Sequence, residues 1–109
     1  MPQEENGMNY LWLDDVRPAP DGWMHVKTAA HAISALTNFE YDKVSLDHDL
    51  GPPEAGTGYD VLTWLETQVG QGLWDKPLPE LLIHSANPVG RQNMQRAITA
   101  IRRIYEKAD

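Results

Sequence analysis

The chain has no cysteine, a single phenylalanine and few positive charges: nine Lys and Arg stand against sixteen Asp and Glu in 109 residues. Without cysteine there is no disulfide framework, no thiolate nucleophile and no cysteine-ligated zinc site. The formal net charge of −7 opposes non-specific attraction to a DNA or RNA backbone. No apolar run approaches the ~18 residues that suggest a membrane span. The acidic start Met1-Pro2-Gln3-Glu4-Glu5-Asn6-Gly7 is unlike the basic-then-apolar pattern of a secretory signal. A cytoplasmic location with no membrane partner is the expectation.

What remains is a chain of one-domain size, large enough for one core and too small for two. Residues 1–8 read as a polar N-terminal tail and 9–109 as a single domain. Tyr10-Leu11-Trp12-Leu13 is a short apolar run stopped by Asp14-Asp15, which reads as a buried strand. A loop from Val16 to Trp23 follows, marked by Pro18, Pro20 and Gly22. Met24 to Thr28 suits a second strand. Ala29, Ala32, Ile33 and Leu36 recur at helical spacing behind Thr28 as N-cap. Val44-Ser45-Leu46 makes a third strand, and Gly51 to Gly56 is a loop. Tyr59, Leu62, Leu65 and Val69 form the apolar stripe of a second helix ending near Gly70. Leu81-Leu82-Ile83 is a fourth strand, and Asn87-Pro88 opens a last helix whose buried face is Met94, Ala97, Ile98, Ile101 and Tyr105.

Strands alternating with helices favour an α/β fold. The first two strands are the exception, since only a short loop joins them: it either reaches back to make them parallel or closes a hairpin. The last segment, from Arg91 onward, is locally basic and is either a solvated helix face or a docking surface for an anionic partner.

Four polar clusters sit at or just after the β-prone runs: Asp14-Asp15, Asp47-His48-Asp49, Gly56-Thr57-Gly58 and His84-Ser85-Ala86-Asn87. Parallel strands bring their carboxyl ends to one crevice, where such folds bind ligands. Asp14, Asp15 and Asp47 would meet there if the first and third strands pair. Carboxylates so close repel unless a cation intervenes, and Mg²⁺ suits a site of one or two carboxylates completed by water and phosphate oxygens. His48 and His84 could act on one phosphate as general base and general acid, in either order. Gly56-Thr57-Gly58 and Asn87-Pro88 open helices whose N–H groups could face an oxyanion. Ser85 could donate to a phosphoryl oxygen, and Arg17 could either neutralise the carboxylates or clamp phosphate. His25 and His31 lie outside these clusters and read as surface residues.

Through L-W-L-D-D-V-R-P-A-P-D-G-W, V-K-T-A-A, S-L-D-H-D-L-G, G-T-G-Y-D-V-L-T-W-L and I-H-S-A-N-P-V-G, the chain resembles the response-regulator receiver superfamily. It is most similar to the variant called the cyclic-phosphate processing receiver-like domain, over roughly residues 9 to 105. The resemblance implies a truncated receiver, or flavodoxin-like, α/β domain. Its mainly parallel four-stranded sheet would have order 2-1-3-4 and about three helices, without the first helix and fifth strand. It also implies Asp14 and Asp15 as the metal-binding acidic pair, Asp47 as the position of the phosphoacceptor, Asp49 as a backbone metal contact and Ser85 as the hydroxyl residue after the fourth strand.

The expectation is a phosphoesterase acting on the cyclic phosphate of a nucleotide or RNA end. His48, His84 and Asp47 would be catalytic, Ser85, Asn87, Arg17 and Thr57 would contact phosphate, and Asp14, Asp15, Asp47 and Asp49 would surround Mg²⁺. The alternative is a degenerate receiver that signals or docks a partner through Asp47.

Overall fold

A computed structural model describes residues 8–107, so the expected N-terminal tail, apart from Met8, lies outside the described residues. The order of elements is β1 (Tyr10–Leu13), β2 (Trp23–Val26), α1 (Ala29–Asn38), β3 (Lys43–Leu46), a 3₁₀ turn (Pro53–Ala55), α2 (Gly58–Gly70), β4 (Glu80–Ile83) and α3 (Pro88–Lys107). The four strands form one sheet in the order β2-β1-β3-β4, every pair parallel. The segment between β1 and β2 therefore runs back along the sheet without a helix and does not close a hairpin. The second strand ends at Val26, short of the expected Thr28. The Thr28 hydroxyl is used as the α1 N-cap, accepting from the His31 N–H at 3.1 Å.

A right-handed crossover between parallel strands fixes the side on which its helix lies. Here β2 to β3 and β3 to β4 step in the same direction across the sheet, which puts α1 and α2 on one face. The helices accordingly form one layer, α1 against α2 and α2 against α3.

Strand alternation divides the residues accordingly. Leu11, Leu13, Val26, Val44, Leu46 and Leu81 are buried under the helices, meeting Ala32, Leu36, Leu62, Leu65, Met94, Ile98 and Ile101. Each such Leu or Ile contributes about 1.5–3 kcal/mol of burial free energy. The opposite face carries Tyr10, Trp12, Trp23, His25, Lys43, Ser45 and Leu82, and no helix of the described residues lies over it. The first strand is thus two-sided, with Leu11 and Leu13 buried and Tyr10 and Trp12 partly exposed, and is not buried throughout.

Tyr59 also departs from expectation. It is 38% exposed, and the buried stripe of α2 runs through Gly58, Val61, Leu62, Leu65 and Val69. Gly58, one residue earlier, takes the first place on the buried face instead.

Candidate functional site

The hydrogen-bond ladder continues one residue past each strand. The N–H of Asp14 donates to the Val26 carbonyl, that of Asp47 to Leu13 and that of His84 to Leu46, at 3.0–3.1 Å. Asp14, Asp47 and His84 are therefore consecutive positions of one row at the carboxyl edge of the sheet. Asp14, Asp15 and Asp47 each offer a carboxylate oxygen, and these lie within 4.8 Å of one another. Asp49, Arg17 and Gly51 complete the rim of this acidic pocket. Gly51 has φ of +92°, and a Cβ there would come within 3.1 Å of Asp15 Oδ2, so glycine suits the close approach.

Asp14 is buried, with 1% exposure. Burial opposes its ionisation, yet its carboxyl is held below the usual value of 3.8. Oδ1 accepts from the N–H groups of Val16 at 2.8 Å and Arg17 at 2.9 Å, and Oδ2 lies 3.1 Å from His84 Nε2. Those bonds stabilise the anion more than burial penalises it.

The two imidazoles are held in opposite senses. A carboxylate can only accept, so the His84–Asp14 bond places the His84 proton on Nε2, and Nδ1 accepts from the Ser45 hydroxyl at 2.7 Å. The His84 ring stacks on Trp12 with centroids 3.8 Å apart and planes 6° from parallel. Ser45 lies on the intervening strand, and its small side chain leaves room for the two rings to meet above it. Burial pushes the His84 pKa below its ordinary 6.5, with Asp14 acting against that shift. Arg17 lies across this end of the sheet, its Nη1 donating to the His84 carbonyl at 2.7 Å and its own carbonyl accepting from Trp12 Nε1 at 3.1 Å.

In His48 the bond from Nδ1 to Asp49 Oδ1, at 2.9 Å, places the proton on Nδ1. Among the described residues its Nε2 makes no hydrogen bond. The hydrogen bond from His48 holds the Asp49 carboxyl below its ordinary value against burial, with the bond from Asn87 contributing less than either. The ring rests on Gly90 in the first turn of α3. Neither imidazole lines the acidic pocket directly: His48 reaches it through Asp49 and His84 through Asp14.

The expected phosphate contacts are close by, with side chains engaged in the fold. Thr57 forms a capping box with Asp60 at the start of α2. Ser85, 6% exposed, accepts from the Asn87 N–H at 3.1 Å. Asn87 caps α3 by accepting from Gly90 and donates to Asp49 at 3.3 Å. Arg17 keeps most of its guanidinium free and, among the described residues, forms no ion pair with the three carboxylates.

His25, expected at the surface, is half-buried, with Nε2 2.7 Å from the Asp14 carbonyl. Its signal was positional: a parallel second strand pairs His25 with Trp12, two residues before Asp14. Ser45 was likewise unmarked, having only a place within an apolar run.

The model of the cyclic-phosphate processing receiver domain matches residues 9–100. The chain belongs to that family. The receiver domain also superposes on a solved structure in which a yeast Spc42 trimeric coiled-coil segment, amino acids 181–211, is fused to another structure. The TM-score is 0.56 at 12% identity, covering 97% of this chain and 83% of that one. At such low identity the likeness concerns the fold alone. No curated protein matches the chain. No helix of the described residues is long and apolar enough to cross a membrane.

Proposed function

We propose that this receiver domain hydrolyses a 2′,3′-cyclic phosphate of a nucleotide or an RNA end. The observation that carries the reading is the opposite hydrogen-bonded orientation of the two imidazoles beside the carboxylate pocket. His48 donates from Nδ1 to Asp49 and leaves Nε2 without a hydrogen bond among the described residues, while His84 donates from Nε2 to Asp14. The family match makes a cyclic phosphate the ester to test.

In this reading His48 Nε2 takes a proton from water as the water oxygen bonds to phosphorus. One ring P–O bond breaks, and the departing ribose oxygen takes the Nε2 proton of His84 in its imidazolium form, in which Nδ1 donates to the Ser45 oxygen. A neutral imidazole is left, and solvent carries the proton gained by His48 back to His84. Each transfer requires an approach to about 3 Å and is worth about 10²–10⁴-fold. Asp49 orients the base, Ser45 and Trp12 orient the acid, and Arg17 offers its free N–H groups to the phosphoryl oxygens.

Mg²⁺ fits the donor set of Asp14, Asp15 and Asp47, because the three oxygens are close and two of the residues are partly exposed, leaving room for water and phosphate. When bound it would supply positive charge to carboxylates and phosphate alike. Incubation with a nucleoside 2′,3′-cyclic phosphate, followed by phosphorus NMR, tests the reading. A monoester resonance growing at the expense of the cyclic one is expected, and no turnover with or without Mg²⁺ would refute it.

A second reading has Asp47 accept a phosphoryl group in a signalling role. It is favoured by the placement of Asp47, which spends Oδ1 on the His48 N–H at 2.8 Å yet lines the open pocket. A mass increase after acetyl phosphate treatment, lost in Asp47→Ala, would support it.

A further inference from the structure

The uncovered face of the sheet differs in kind from the covered one. Where the helix side presents leucine, isoleucine and valine, the open side presents a row of rings: Tyr10 lies 4.9 Å from Trp23, Trp23 meets Trp12 edge to face at 5.8 Å, and Trp12 stacks on His84. None of the three aromatic residues is fully buried. A surface built to receive another helix would be aliphatic, like the one that already does so. Part-exposed rings on a rigid sheet are the arrangement that binds flat heterocycles, whose faces stack in any base sequence. The row also has a direction. It ends at His84, whose Nε2 bonds to the buried carboxylate of the acidic pocket.

We propose that this face is a nucleobase platform, on which Trp12 and Trp23 receive the base of a nucleotide whose phosphate lies at the carboxyl ends of β1, β3 and β4. The link to phosphate rests on the hydrolase reading, whereas the stacking surface stands on the rings themselves. The net charge of −7 weakens any attraction to a long nucleic acid backbone, so the ligand is a nucleotide or a single RNA end bound by its base.

The four tryptophans supply the test. Trp12 and Trp23 are on the platform, and Trp64 and Trp74 pack edge to face with each other away from it, as internal controls. Titration with adenosine, followed through the indole N–H signals, should move Trp12 and Trp23 and leave Trp64 and Trp74 in place. Inorganic phosphate should leave Trp23 unmoved. Trp23→Leu should weaken adenosine binding about five- to hundredfold, with Trp23→Phe recovering part of it.

Kinetically, a nucleoside cyclic phosphate should show a lower KM than base-free ribose 2′,3′-cyclic phosphate, and Trp23→Leu should remove the difference. Adenosine-dependent shifts without hydrolysis of either ester would sink the hydrolase reading and leave the platform standing. Hydrolysis of both esters with equal KM and no adenosine shift would overturn the platform alone. Self-association broken by Trp23→Leu, without an adenosine response, would overturn it in favour of a second copy of the chain. Should Trp23→Leu fail to fold, absence of wild-type shifts still overturns the proposal.

Discussion

Replacing Gly90 by alanine should slow turnover without unfolding the domain. A Cβ on Gly90 would lie 2.6 Å from Cγ, 2.7 Å from Cδ2 and 3.1 Å from Cβ of His48. Carbon atoms pack at about 3.5–4.0 Å, so the shortest contact is roughly 0.9 Å too close. The crowded atoms are the root of the ring, and the Nδ1 bond to Asp49 limits rotation, so relief must move the imidazole as a whole. A misplacement of about 1 Å at a reacting group costs about 10²-fold, comparable with the lower end of outright loss of the base.

Overpacking costs about 1–3 kcal/mol, and Gly to Ala within a helix returns about 0.5–1 kcal/mol, leaving a net loss of up to about 2.5 kcal/mol. Initial rates of cyclic-phosphate hydrolysis and a thermal melt measure the two effects. The expected result is a kcat down about 10²-fold, KM little changed and a modest drop in Tm. Wild-type kcat in Gly90→Ala would refute the placement of His48 as proton acceptor.

Gly58 is tighter still, since a Cβ there would collide with the backbone carbonyl oxygen of Asp47 and lie 2.9 Å from Met94 Cε. Gly58→Ala should cost about 3 kcal/mol and lower Tm by about 10–20 °C, read by calorimetry. Stability should also fall on acidification in two stages. The folded pKa of His84 lies below its ordinary 6.5, so the unfolded chain binds a proton first as pH drops through that value and unfolding gains. Asp14 contributes stability that is present above its ordinary 3.8 and lost as pH falls through its lower folded value. Urea midpoints at pH 7.5, 5.5 and 3 should decline in that order, and a constant midpoint between the first two would contradict the His84 assignment. Mg²⁺ should raise the Tm of the wild type and not of Asp47→Asn, and equal shifts in both would place the ion elsewhere.

Much of the fold was readable where one local rule sufficed. Asp14-Asp15 and Asp47 stop apolar runs, Thr28 caps α1, and Asn87 followed by Pro88 opens α3. The carboxylate pocket followed from those stops together with the convergence of parallel strands. What was not readable depended on pairing across the sheet. His25 meets Asp14, and Ser45 meets His84, only because strands distant in sequence come into register, and nothing local marks either residue. Tyr10-Leu11-Trp12-Leu13 looks uniformly apolar, although its aromatic and aliphatic residues point to opposite faces. The phase of α2 went astray for a similar reason. Tyr59 fits the spacing of the stripe, but Gly58 takes the buried place beside the Asp47 backbone, where no side chain fits, and Tyr59 is turned off that face.

Hydrolysis of a nucleoside 2′,3′-cyclic phosphate in H₂¹⁸O, followed by phosphorus NMR, tests the central claim most directly, because the ¹⁸O shift reports which oxygen attacked. Water attack at phosphorus, with His48 as base, predicts a monoester carrying one ¹⁸O on phosphorus, formed at least 10²-fold more slowly by His48→Ala. An intact cyclic phosphate, or a monoester without the label, would contradict the account.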